Sequence, residues 1–240
     1  MEITTLSSGS HGNAYLIKAN DDILLIEAGL APKKLKKKLW EEDIYVAKID
    51  SCLVSHYHQD HFKSVEFLTN SGVDVLIPSV EDKTGLFKRG ERKDRVYYLE
   101  PNKIYKTANF LLKPFDLQHD DVPILGFMLY HKGTEERLFY ATDTMYIKYQ
   151  PKNIQYYMVE VNYQKKYLEE SVKAGTMSRE NMRRIMRSHM GLDTTVEFFK
   201  ANDMSKVKEI HLLHLSERNA NPEEVKETVQ RISGVPVYIA

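Results

Sequence analysis

The chain has 240 residues, 42% apolar and 28% charged, with 34 Lys plus Arg against 34 Asp plus Glu. That balance is ordinary for a soluble fold and excludes both a uniformly basic nucleic-acid-coating protein and a long acidic tail. The single cysteine, Cys52, excludes an intramolecular disulfide and a cysteine-rich zinc cage.

The first part reads as strand-rich. Glu2–Leu6, Ala14–Lys18 and Ile23–Glu27 are predicted strands, separated by SSGSHGN and by the turn residues Asn20, Asp21 and Asp22. A helix over Pro32–Trp40 follows, with proline in its first turn, Leu35 and Leu39 on its buried stripe, and the lysines of KKLKKK as a solvated face. Then come a strand Ser51–Ser55, a histidine-rich turn, a helix His61–Asn70 and a strand Val73–Ile77. The mixed-charge run KRGERKDR (Lys88–Arg95) reads as a loop. Strands are predicted at Arg95–Leu99, Phe110–Phe115, Ile124–His131, Arg137–Ala141 and Tyr156–Val161.

The last third turns helical, with Gln164–Lys173, Ser178–Ser188 and Asp193–Ala201. A strand Val207–Leu213, a helix Pro222–Ile232 capped by Asn221, and a strand Val235–Ile239 complete the chain. No Pro/Gly/Ser-rich linker interrupts the order, so one α/β (α+β) domain over residues 1–240 is expected. The opening residues lack a basic stretch followed by a long apolar run, and no window is long enough for a membrane span. A cytoplasmic protein without membrane association is expected; oligomeric state is left open.

The informative window is SHYHQDH, Ser55–His61. His56, His58, Asp60 and His61 follow the pattern H-x-H-x-D-H between a strand and a helix. Imidazole nitrogens and carboxylate oxygens suit zinc, iron or manganese, and residues two apart on extended backbone project to the same side. Further donors sit just beyond apolar strands: His119 in DLQHDD, Asp143 in YATDT, and His214 in LLHLS.

This ordered set resembles the metallo-β-lactamase-fold hydrolases over almost the whole chain. The resemblance implies a four-layer αββα sandwich and two divalent ions, zinc or manganese. One ion would be held by His56, His58 and His119, the other by Asp60, His61 and His214, with Asp143 bridging. TLSSGSHGNAYLI, VEVNY, SHMGLDT and HLLHLSERNANPEE are similar to the small single-domain nucleases of the WalJ/VicX type, and more distantly to RNase Z and the β-CASP nucleases. About seventy residues separate Asp143 from His214, too few for a β-CASP insertion. Three departures stand out, one of them SHMGL at Ser188–Leu192, where the nuclease type often has Gly-His-Leu-Ser. Glu27-Ala28-Gly29 replaces the family's Asp-x-Gly, whose carboxylate supports the histidine loop, and His11 replaces a serine in the glycine-rich turn.

The implied chemistry is hydrolysis through a hydroxide bridging the two ions. Asp60 is the candidate for proton handling. His189 is the candidate to assist the leaving oxygen or bind a phosphate; its competing reading is a histidine favoured by the helix dipole. Arg179, Arg183 and Arg187 share a predicted helix face and could grip phosphates, which favours a nucleic acid substrate, DNA or RNA, over a merely solvated face. The competing reading is a lactonase or glyoxalase-like thioester hydrolase, which would use the same metal ligands.

Overall fold

A computed structural model of the chain describes residues 1–79, 93–119 and 122–240. Helices flank two sheets. The six-stranded sheet runs in chain order through β1 (Glu2–Ser7), β2 (Ala14–Ala19), β3 (Asp22–Ile26), β4 (Ser51–Leu53), β5 (Asp74–Pro78) and β6 (Val96–Leu99). The second sheet draws on β7 (Tyr105–Thr107), β8 (Phe110–Asp116), β9 (Leu125–His131), β10 (Glu136–Ala141), β11 (Tyr156–Glu160), β12 (Glu209–Leu213) and β13 (Val237–Ile239). Its spatial order is β13-β12-β11-β10-β9-β8-β7. The chain divides into two compact units. The first is Met1–Phe115 with Pro123–Leu125 and Leu129–Glu136; the second is Asp116–Val122 with Gly126–Met128 and Arg137–Ala240.

In the first unit, β1, β2 and β3 pair antiparallel and β3 to β6 pair parallel, with Leu25 opposite Cys52 and Cys52 opposite Val75. Parallel neighbours need crossovers, and helices supply those from β3 to β4 and from β4 to β5. Helix α1 (Pro32–Glu41) joins β3 to β4 and buries Leu35 and Leu39, four residues apart on one face. Full burial of each contributes roughly 1.5–3 kcal/mol. They pack in a core with Leu16, Leu25, Cys52, Val54, Leu68 and Val75. Burial, and after it the Glu27 carboxylate, push the Cys52 thiol well up, so it behaves as a small protonated core residue.

The predicted helix His61–Asn70 is instead two helices, α2 (Gln59–Phe62) and α3 (Val65–Asn70). The cause is competition for backbone groups. The His61 carbonyl accepts from Ala28 N at 2.8 Å, and Ser64 N donates to the Ala28 carbonyl at 2.7 Å. Those groups are spent on the loop after β3 and cannot serve one continuous helical ladder. Strand β7, which sequence patterning passes over, is three residues of a tight hairpin with β8, Thr107 opposite Phe110. Of KRGERKDR, residues 88–92 lie outside the described residues; Lys93–Arg95 form a 3-10 turn, and Arg95 pairs with Asp74 at 2.7 Å.

In the second unit, β10, β11, β12 and β13 are all parallel, with Ala141 opposite Val159 and Glu160 opposite Leu213. Strand β11 is wholly buried, as expected for a parallel strand covered on both faces. Between β11 and β12 run α4 (Lys165–Lys173), α5 (Arg179–Ser188) and α6 (Leu192–Lys200). Helix α7 (Pro222–Ser233) links β12 to β13, with Asn221 Oδ1 accepting from Glu223 N and Glu224 N and Gly234 in the left-handed conformation that ends it.

Candidate metal centre

Polar residues gather where parallel strands end, the usual place for a site in such sheets. Three of them, Glu27 after β3, Asp143 after β10 and His214 after β12, have φ of 67°, 47° and 54°. Left-handed backbone at a residue other than glycine costs on the order of 1–3 kcal/mol and persists where the surroundings impose it. All three are buried.

In the first unit, the chain leaves β4 and turns through His56, with α2 beginning at the N-cap His58. The rings of His56 and His58 lie 4.6 Å apart, and those of His56 and His61 4.2 Å apart. Asp60 Oδ2 is 3.5 Å from His61 Nε2. Two buried residues brace this loop. Glu27 accepts from Ser55 N through both carboxylate oxygens at 3.3 Å, and its Oε2 lies 3.3 Å from His61 Nδ1. The extra methylene of glutamate therefore still reaches the histidine loop. Asn13 accepts from Gly9 N at 2.8 Å and Tyr15 Oη at 3.1 Å through Oδ1, which turns its Nδ2 toward His61 Nε2 at 3.0 Å. Asn13 N also donates to the Asp60 carbonyl at 2.7 Å. Gly29 passes so close that a Cβ there would meet the Asp60 carbonyl oxygen at 1.5 Å. His11 is exposed on its turn.

In the second unit, Asp143, Glu160, His189 and His214 each place a ligand atom within 4.8 Å of the others. His189 Nδ1 donates to Glu160 Oε1 at 2.6 Å, and His214 Nδ1 donates to the same oxygen at 3.0 Å. Asp143 Oδ1 is 3.1 Å from His214 Nδ1 and 3.4 Å from His189 Nδ1. Thr144 N at 3.0 Å and Met190 N at 3.2 Å donate to Glu160 Oε2. Burial alone would raise the Glu160 carboxyl; the adjoining His189 and the bonds from both histidines outweigh it and hold the carboxyl below its usual range. Burial pulls His214 down, while Asp143 and Glu160 raise it further, for a net rise. His119 Nδ1 donates to the Ser188 carbonyl at 2.9 Å, and its ring lies 5.3 Å from that of His189.

The predicted residues thus group as His56, His58, Asp60 and His61 in one unit and His119, Asp143, His189 and His214 in the other. His189 is the C-cap of α5, but its partner is a buried carboxylate as well as a helix end. Glu160 escaped the sequence reading, although it ends an apolar strand just as Asp143 and His214 follow theirs. Arg183, Arg184 and Arg187 line a cavity with His119, whereas Arg179 is not part of its lining. At 100° per residue, Arg179 sits about 80° around the helix from Arg187.

The donor set fits divalent ions. It is made of imidazoles and carboxylates with no thiolate. His119 and His214 donate their Nδ1 protons to a carbonyl and a carboxylate, which leaves Nε2 the lone-pair nitrogen, as second partners do in metal sites.

Fold and donor chemistry together define a metal-dependent hydrolase. The chain belongs to the Metallo-beta-lactamase superfamily, whose signature matches residues 8–146. It is 25% identical over 227 residues to the exodeoxyribonuclease WalJ of Streptococcus pneumoniae, covering 89% of this chain and 81% of that one. Among solved structures, the metallo-β-lactamase-fold protein YhfI of Bacillus subtilis aligns with a TM-score of 0.73 at 17% identity, over 99% of this chain and 95% of that one. The short form of human tRNase Z aligns with a TM-score of 0.60 at 13% identity, over 100% and 96%. Among the described residues, no helix is long and apolar enough to cross a membrane.

Proposed function

We propose that the chain is a cytoplasmic phosphodiesterase acting on DNA or RNA with two divalent ions, zinc or manganese. The motif resemblance assigns His56, His58 and His119 to one ion, Asp60, His61 and His214 to the other, and Asp143 to both. When bound, such ions activate water at neutral pH and offset charge on a phosphoryl oxygen.

The chain's own residues do the rest. Asp60 accepts a proton at its carboxylate while helping to hold the second ion. His189 delivers a proton to the leaving oxygen, its ring fixed by Glu160. Glu27 and Asn13 hold the histidine loop in place.

The observation that carries this reading is the cavity beside His119, which Arg183, Arg184 and Arg187 line together with Leu117, Val122 and Met145. Guanidinium groups match phosphate oxygens bidentately, whereas a neutral lactone offers them no anionic partner. The naming of WalJ as an exodeoxyribonuclease supports the same substrate class.

The test is a substrate panel. Purified protein, loaded with manganese or zinc, is incubated with end-labelled single- and double-stranded DNA and RNA and, separately, with lactones and thioesters. The proposal expects cleavage of nucleic acid. Turnover of lactones or thioesters with every strand left intact would overturn it.

A further inference from the structure

Helix α1 turns Leu35 and Leu39 into the core of the first unit. At 100° per residue, Lys33, Lys36, Lys37 and Trp40 fall within about 100° of one another, on the side away from it. All four are exposed. Trp40, the chain's only tryptophan, is 65% exposed, although tryptophan is highly buried on average. The turn after the helix brings a second exposed aromatic, Tyr45, against it. Asp43 enables that turn, with a left-handed φ of 56° and its N–H on the Trp40 carbonyl at 3.0 Å. The rings of Trp40 and Tyr45 then meet edge to face, with centroids 5.4 Å apart and planes at 87°. In such a pair the ring that presents its edge keeps both faces clear of its partner.

The stretch is basic. From Pro32 to Lys48 it holds six lysines and three acidic residues, Glu41, Glu42 and Asp43. Glu41 takes Lys37 at 3.7 Å and Lys38 at 3.3 Å. Both are exposed pairs, weak in water and readily exchanged for another anion. Lysines in line with an exposed indole suit a single nucleic-acid strand, whose phosphates meet ammonium groups and whose bases each offer a face to stack. From Lys33 to Trp40 the stripe covers about 10 Å of helix axis, close to three nucleotides at the roughly 3.4 Å spacing of stacked bases. An anionic membrane also attracts lysine and tryptophan, but an interfacial helix inserts its apolar face. The apolar face of α1 is already in the core.

We propose that the outer face of α1 is a docking surface for single-stranded nucleic acid, with phosphates along Lys33, Lys36 and Lys37 and a base stacked on Trp40 beside Tyr45. The choice of polymer rests on the phosphodiesterase reading; the surface itself lies outside the metal centre. Ala28 N donates to the His61 carbonyl at 2.8 Å, so α1 begins four residues beyond a contact with the histidine loop. Trp40 stands eight residues further, about 12 Å along the helix. A strand held there is retained by the protein without touching the reacting atoms, so the surface acts on binding and not on the chemical step.

As the only tryptophan, Trp40 is its own reporter. With metal chelated, its fluorescence is titrated with a thymidine oligonucleotide, with a blunt duplex, and with phosphatidylcholine vesicles with and without phosphatidylserine. Anisotropy of a labelled strand gives affinities for the wild type, Trp40→Ala, Trp40→Phe and the Lys33→Gln, Lys36→Gln, Lys37→Gln triple variant. Circular dichroism checks folding, which these exposed positions should not disturb. The single strand is expected to quench Trp40, and the duplex and vesicles to leave it nearly unchanged. Trp40→Ala weakens strand binding about tenfold, and Trp40→Phe regains part of the loss. The glutamine triple lowers the slope of log K against log salt by about 2, near 0.7 per phosphate contact. With metal restored, Trp40→Ala raises KM for long strands and leaves kcat near that of the wild type.

A strand that binds without quenching Trp40 overturns the proposal, as does wild-type affinity in both Trp40→Ala and the glutamine triple. So does a Trp40 that responds to anionic vesicles and not to strands, which would make the face a membrane contact. A loss of kcat at unchanged KM in Trp40→Ala also counts against it. Metal-dependent cleavage with strand binding indifferent to Trp40 and the lysines would leave the phosphodiesterase reading standing and sink this one. Quenching by single strands with no metal-dependent cleavage would do the reverse.

Discussion

The Glu160 carboxylate accepts a hydrogen bond of 2.6 Å from His189 Nδ1, short even for a charge-assisted bond from nitrogen. The same oxygen accepts from His214, so one buried carboxylate sets the orientation of two imidazoles with different proposed tasks. Substitution should separate those tasks. Glu160→Gln is expected to lower metal affinity about 10–100-fold and to reduce turnover as well. His189→Ala is expected to leave metal content near that of the wild type while turnover falls about 10²–10⁴-fold. Metal content by equilibrium dialysis, beside turnover of a phosphodiester, distinguishes them. Equal effects of both variants on metal affinity would contradict the division.

The loop geometry makes Gly29 irreplaceable. A methyl group there would meet the Asp60 carbonyl oxygen at 1.5 Å, a backbone atom that cannot turn aside. Gly29→Ala is therefore expected to destabilise the fold by about 3 kcal/mol or more and to displace the histidine loop. Urea denaturation checks the first effect and metal titration the second. An alanine variant with wild-type midpoint and metal affinity would show that the loop is not so confined.

Glu27 is the departure from the family pattern that the structure accommodates. Its carboxylate takes the Ser55 amide and faces His61 Nδ1. Glu27→Ala should cost about 1–3 kcal/mol, the penalty of leaving a buried donor unsatisfied. Glu27→Gln, which keeps an oxygen for Ser55 but loses the charge beside His61, should keep more of the stability while still weakening metal binding. Thermal unfolding of both variants, with and without zinc, reads the difference; an alanine variant as stable as the glutamine one would argue against the bracing role.

A separate pair gives a pH signature. Asp22 accepts from His131 Nε2 at 2.9 Å and from Asn109 Nδ2 at 2.8 Å. Burial tends to raise its carboxyl, but these two hydrogen bonds outweigh burial and hold it below its ordinary value. The folded state thus favours the ionised form. The stabilisation is complete above the unfolded pKa of about 4 and is lost as pH falls through the lower folded value. Asp22→Asn should cost on the order of 1 kcal/mol at neutral pH, and its gap from the wild type should close as the solution is acidified below about pH 4. A gap that stays constant down to pH 2 would contradict the linkage.

The candidate donors were legible in sequence because they obey local rules. H-x-H-x-D-H lies between a strand and a helix, and His119, Asp143 and His214 follow apolar strands. The same rule reaches Glu160 once the boundary of β11 is set one residue earlier, at Glu160 instead of Val161. What sequence could not supply were relationships between distant segments. The break between α2 and α3 depends on Ala28, about thirty residues upstream. The bracing by Asn13 depends on Gly9 and Tyr15 fixing the direction of its amide. Spacing by fours drifts around a helix of 3.6 residues per turn, so Arg184 lines the cavity beside Arg183 and Arg187 while Arg179 does not.

The most direct test of the central claim is to strip the protein of metal, restore manganese or zinc, and follow an end-labelled single-stranded oligonucleotide beside Asp143→Ala, with bound metal counted in parallel. The account predicts two ions per chain in the wild type, cleavage that appears only with metal, and loss of both full occupancy and cleavage in the variant. A wild type that binds both ions and leaves every strand intact, or an Asp143→Ala protein that cuts as fast as the wild type, would contradict it.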